Sequence, residues 1–268
     1  MIKGALIKLI VFIALVSIII PILIIAIWSI ASSWPWPYLV PQGFSLRGIE
    51  EFFGGYSGAV NSMLTSVLAG IGTSLLAVSI SIPAARAIKL YDFFGKSIVD
   101  FLLLLPVIVP VTSFAMGVQV LFIRVKLNDT IIGVIIAHTI VSLPYTVKIM
   151  SEVISAIGNK YEVQAYVLGA GKMDALLKIT IPLLMPGLVS AFSMAFIISM
   201  GQYFLTFLIG GGTVVTLPIR MFPYIQSGDR QIASIYGLIF ILITLVVLLI
   251  SDRFVRRYYN FNTTYFFS

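Results

Sequence analysis

An all-α, polytopic membrane fold is what this sequence predicts, on three observations. Of its 268 residues 60% are hydrophobic and only 10% are charged, whereas a soluble domain carries about 25% charged residues. The apolar residues lie in long uninterrupted runs rather than on one face of short helices. Basic residues then cluster in every second connection, as they do in chains that cross a bilayer repeatedly. Cysteine is absent, so disulfides, thiolate chemistry and Cys-based metal sites are excluded.

Taken in order, the runs predict six membrane helices over residues 7–31, 61–85, 99–123, 131–149, 182–209 and 232–250, in a single domain covering 1–268. The first is longer than the 7–15-residue core of a signal peptide and is expected to be retained. It ends at Trp34-Pro35-Trp36-Pro37-Tyr38, whose rings suit the membrane interface. A stretch over 150–180 is the least lipid-like part of the middle of the chain. Within it Val163, Tyr166, Val167 and Ala170 repeat at helical spacing, which predicts an amphipathic helix whose apolar face meets lipid or a partner. A second short helix is expected over Met173–Lys178. Residues 210–230, with three consecutive glycines and two prolines, read as a loop dipping partway into the membrane.

Placing the N-terminus in the cytoplasm leaves Arg47, Arg124, Lys126, Arg220 and Arg230 outside and the other 12 of the 17 basic residues inside. That bias predicts a cell inner-membrane protein with both termini cytoplasmic. The net charge of +7 thus reports membrane sidedness, and no nucleic-acid partner is expected.

Chemical motifs are few. Phe94-Gly95-Lys96-Ser97 mimics the end of a phosphate loop, but Leu90 stands where the first glycine is needed. Gly169-Ala170-Gly171 lacks the third glycine and the preceding strand of a dinucleotide turn. No catalytic residue and no metal site is predicted. His138, the single histidine, falls within a span; alone it makes no metal site, and a neutral hydrogen-bonded role is expected. Gln119 lies in the third span. Ser199, Gln202, Tyr203 and Thr206 fall on one face of a continuous fifth helix. These five are the candidate lining of a solute path, with interhelical bonding as the alternative.

The segment Tyr161-Glu162-Val163-Gln164-Ala165 with Gly169, then Ile179, Ile181 and Pro182, resembles the EAA loop of binding-protein-dependent ABC importer permeases. The family's pattern is Glu-Ala-Ala, three residues, Gly, nine residues, Ile-x-Leu-Pro. Ala165, Gly169, Ile179 and Pro182 match; Val163 and Gln164 depart from the usual Glu and Ala, with Glu162 adjacent. Asn61-Ser62, Leu143-Pro144 and Thr216-Leu217-Pro218 extend the resemblance, which points to the branch serving polyamines, iron(III) and thiamine.

The resemblance implies a type I permease forming half of a solute channel. Its loop would dock on a cytoplasmic ATPase dimer through Tyr161, Glu162, Gln164, Ala165, Gly169, Ala170, Gly171 and Asp174. ATP and magnesium would bind the ATPase, with no cofactor in this chain. A second, non-identical permease, an external solute-binding protein and membrane lipid complete the expected partners. A secondary transporter would need coupling carboxylates near the midplane, and a non-transporting scaffold would leave the Gly169–Pro182 spacing without a purpose.

Overall fold

The computed structural model describes residues 2–55 and 57–266, with side chains over 7–55 and 57–254. Lys3, Arg256 and Arg257, counted above toward the charge bias, have side chains outside the described residues. Almost all regular structure is helical: α1 (Ile2–Ile30), α2 (Arg47–Phe53), α3 (Ala59–Leu90), α4 (Lys96–Ile108), α5 (Val111–Arg124), α6 (Ile131–Ile157), α7 (Lys160–Val167), α8 (Lys172–Ala175), α9 (Ile181–Met200), α10 (Phe204–Gly210), α11 (Leu217–Ser227) and α12 (Arg230–Phe266). A π-helical turn, Leu176–Thr180, joins α8 to α9. Two short antiparallel strands, β1 (Ala31–Ser33) and β2 (Gly43–Phe44), close the loop after α1.

Contacts divide the chain into two compact units, one of residues 1–63 with 219–243, the other of 64–218 with 244–268. In the first, Phe52 and Tyr236 meet edge to face with centroids 4.9 Å apart. Gln231 donates to the Ser45 carbonyl at 2.6 Å, and Arg47 pairs with Asp229 at 2.5 Å. The apolar stretch of α1 has no buried residues in its most hydrophobic window. A helix apolar all round and unburied by its own chain requires lipid or another subunit around it.

The second unit is a helix bundle with two stacked cores. One gathers Ala69, Ala115, Phe122, Val134, Ala137, Leu205 and Ile209. The other gathers Ala85, Ile88, Val147, Met150, Ile154 and Leu184. Small residues allow close helix approach: a Cβ on Gly72 would lie 2.7 Å from Ile135, and one on Gly187 2.8 Å from Val153. Such contacts are how helices associate where lipid removes the hydrophobic driving force. Along both cores α3 and α6 advance together, Ala69 with Val134 and Ala85 with Val147. The two helices are therefore parallel, and the chain between them has to recross the bundle.

That recrossing corrects the expected single span over 99–123. It consists of α4 and α5, bent by 110°. Val109 is extended (φ −75°, ψ 134°) because Pro110 disfavours a helical residue before it, and Pro110 is itself extended. Leu103 of α4 packs on one core and Phe122 of α5 on the other, so the pair carries the chain from one level to the other. Among the described residues five continuous helices are long and apolar enough to cross a bilayer, and the bent pair is a candidate for a sixth crossing.

Two further expectations are corrected. The fifth helix is not continuous over 182–209: it stops at Met200 and resumes at Phe204 as α10. Residues 210–230 are not a loop throughout, because α11 occupies Leu217–Ser227.

Candidate functional site: the loop between α6 and α9

α6 ends at Ile157, and Asn159 occupies the N-cap position of the short α7 without a side-chain capping bond. At its far end the Gly169 N–H donates to the Tyr166 carbonyl and the Ala170 N–H to the Ala165 carbonyl. These two bonds form a Schellman motif, whose left-handed position suits glycine, and Gly169 has φ +87°. The requirement is conformational, since a Cβ at Gly169 would meet nothing within 4 Å. The expected helix Met173–Lys178 is instead α8 followed by the π turn, with Asp174 and Lys178 paired at the surface at 2.6 Å.

α7 has an unusual polarity. Only Glu162 and Ala165 of its eight residues are buried. Tyr161, Gln164, Gly169, Gly171 and Asp174 are exposed and Ala170 is partly so. Of the predicted apolar face Val163, Tyr166 and Val167 are exposed, Val167 at 82%, and Ala170 partly so; Leu168 and Met173 are exposed as well.

Glu162 turns inward. Its Oε1 accepts from Arg86 Nη1 at 2.6 Å and its Oε2 from Nη2 at 3.0 Å. The Thr180 hydroxyl also donates to Oε1. The Arg86 guanidinium holds the Glu162 carboxyl below the usual carboxylate range; burial opposes this, and the Thr180 bond adds to it. Sequence reasoning missed Arg86 and Thr180. The available signal was a lone arginine at the predicted inner end of one span and a hydroxyl two residues before Pro182.

The second set of predicted residues behaves differently. Ser199 and Thr206 are buried and flank His138, whose Nδ1 lies 2.8 Å from Ser199 Oγ and Nε2 2.8 Å from Thr206 Oγ1. The Thr206 hydroxyl also donates to the Gln202 carbonyl at 2.7 Å, and the Ser199 hydroxyl lies 3.4 Å from Thr73 Oγ1. His138 thus bridges the break between α9 and α10. The reading of Ser199, Gln202, Tyr203 and Thr206 as one helical face is corrected: Gly201 to Tyr203 are outside either helix. Ser199 and Thr206 hold the break, while Gln202 and Tyr203 sit in it, half-buried. Gln119 donates to the Leu208 carbonyl at 2.9 Å and ties α5 to α10.

Comparison with known proteins decides the family. The family described as "Binding-protein-dependent transport system inner membrane component" matches residues 77–259. The chain belongs to this family. A Salmonella paratyphi A permease protein assigned to 2-aminoethylphosphonate transport is 28% identical over 240 residues, 88% of this chain and 89% of the relative. The spermidine/putrescine transport system permease protein PotC of Haemophilus influenzae is 26% identical over 217 residues, 81% of this chain and 84% of the relative. A bacterial ABC transporter described as importing the acidic polysaccharide alginate shares the fold at a TM-score of 0.70 and 16% identity, over 96% of both chains. The protein is therefore a multi-pass inner-membrane permease of the ABC importer type, with a transport role. The segment from α6 to α9 lies within the matched residues.

Proposed function

We propose that this permease supplies one half of an importer's solute path and docks through α7 and α8 on a cytoplasmic ATPase. The observation that carries the reading is the exposed apolar face of α7 and its end, Val163, Tyr166, Val167 and Leu168, on a loop between two crossings. A short helix that leaves such residues in the open has a groove-type partner. ATP and magnesium belong to that ATPase in this scheme. A second permease, non-identical to this one, covers the rest of the path and the unburied α1. An external binding protein delivers the solute; one structural relative is described in complex with a periplasmic protein carrying an alginate pentasaccharide. Both termini face the cytoplasm.

The path in this reading passes the break at Gly201–Tyr203, where Gln202 and Tyr203 offer uncharged polar groups. The relatives are named for 2-aminoethylphosphonate and for spermidine/putrescine, solutes of different charge. α9 and α10 carry no charged side chain. Charge recognition is therefore assigned chiefly to the external binding protein.

Replacing Val167 with Asp tests the docking. The side chain is exposed, so the permease should insert and fold as before while its ATPase is lost from a pull-down at matched membrane levels. Equal recovery of ATPase with wild type and variant overturns the proposal.

A further inference from the structure

Glu162 does something other than face a partner. It joins three elements at one carboxylate: Arg86 from the last turns of α3, its own helix α7, and Thr180 from the π turn that opens into α9. The guanidinium meets the carboxylate with two parallel bonds, a geometry that fixes orientation as well as distance. The pair is largely enclosed, with side-chain exposures of 20% for Arg86 and 10% for Glu162.

The rest of α7 grips the bundle weakly. Ala165 is its one other buried residue, and an alanine contributes little apolar area. The Arg86–Glu162–Thr180 joint ties α7 by side-chain hydrogen bonds to α3 and to the π turn before α9. The neighbouring surface pairs, Lys178–Asp174 and Lys148–Glu152, lie within single segments and join nothing to α7.

Resting on the docking reading above, we infer that Arg86, Glu162 and Thr180 form a clamp that makes α7 move as one body with α3 and the start of α9. A displacement of α7 by the ATPase then reaches two crossings at once, α3 directly through Arg86 and α9 through Thr180. These are positioning residues: they touch neither solute nor nucleotide. Glu162 is consequently not a contact for the ATPase, and the side chains around it on the exposed face fill that role.

The experiment uses the complete importer complex in lipid nanodiscs, with spin labels on cysteines introduced at Leu168 and Leu75. The native chain has no cysteine to interfere, and both positions are exposed, on the loop and on α3. In the otherwise wild-type permease the label distance is expected to be narrow and the same with and without MgATP. In Arg86→Gln it is expected to broaden and to shift on adding MgATP. Thr180→Val should leave this pair narrow but broaden a second pair, Leu168 with Ile197 on α9. Arg86→Met combined with Glu162→Leu leaves no unpaired charge, so it keeps the test valid if Arg86→Gln does not fold; it too should broaden the first pair. A narrow, nucleotide-independent distance in the double variant overturns the clamp, as does a wild-type distance that itself moves with MgATP. Failure of the docking reading looks different: the wild-type permease then recovers no ATPase at all.

Discussion

Arg86 and Glu162 stabilise the loop most while both are present. Arg86→Gln leaves an enclosed carboxylate without its cation, which costs about 3–5 kcal/mol; thermal unfolding in detergent should show a clear loss of Tm. The Arg86→Met, Glu162→Leu double variant should lose much less, because apolar replacement of a buried pair is close to neutral. The pH dependence has a definite sign. The Glu162 carboxyl is held below its ordinary value in the folded protein. Its contribution is thus fully present above the unfolded-state value, through neutral pH. It is lost as pH falls through the lower folded-state value. Unfolding followed between neutral pH and strongly acid pH should show that loss in wild type and not in the double variant. At Gly169 the left-handed backbone predicts that alanine costs about 1 kcal/mol, read as a small fall in Tm, with no steric penalty. Glu162 stood out in the sequence as an acid adjacent to the motif. That it turns inward was not legible, because one residue of helical rotation decides it and Arg86 lies 76 positions away.

Helices were legible where composition alone defines them and illegible where they break. The amphipathic period of α7 predicted a helix with a face to cover, and the structure leaves that face open. The interruption of α9 at Gly201 had no such signal: the hydrophobic run continues through Phe204–Ile209, and glycine is common within membrane helices. What holds the break is His138, whose partners Ser199 and Thr206 are seven residues apart and look like one face of an unbroken helix. Pro110 was visible, but proline in a span is often tolerated, and only packing on both cores shows the 110° turn. Two outcomes follow. His138→Leu should destabilise the α9–α10 junction by about 1–3 kcal/mol, since hydroxyls are left to find other partners, and this is measurable as a lowered Tm. Gln202→Leu, placed in the break rather than holding it, should preserve Tm and assembly while uptake of the cognate solute falls; unchanged uptake kinetics would remove Gln202 from the path.

For the whole molecule, sidedness is predicted from 17 basic residues, and of the six expected spans the structure bends one, over 99–123, and interrupts another after Met200. The parallel course of α3 and α6 was beyond the sequence, because it depends on pairings more than sixty residues apart. It now constrains topology. The loop after α3 and the loop after α6 must lie on the same side, and Arg124, at the far end of α5, on the other. Single cysteines at Arg124 and Lys160 should therefore differ in whole cells: an impermeant thiol reagent applied outside is expected to label position 124 only. Labelling at 160 would reverse the orientation and take the ATPase-docking proposal with it.

The π turn at Leu176–Thr180 has a bearing on how this chain tolerates changes in length. A turn closed from i to i+5 holds one more residue than the α-turn it replaces. Removing a single residue there, such as the exposed Leu177, can convert the turn to α geometry and leave everything downstream in phase. The same deletion within α9 would rotate its remaining residues by about 100°, since an α-helix has 3.6 residues per turn, and would drive Ala195, Phe196 and Ser199 off the bundle. The two deletions should separate cleanly in membrane yield. The nine positions between Gly169 and Ile179 include most of that wide turn, so the motif's spacing already counts a spare residue.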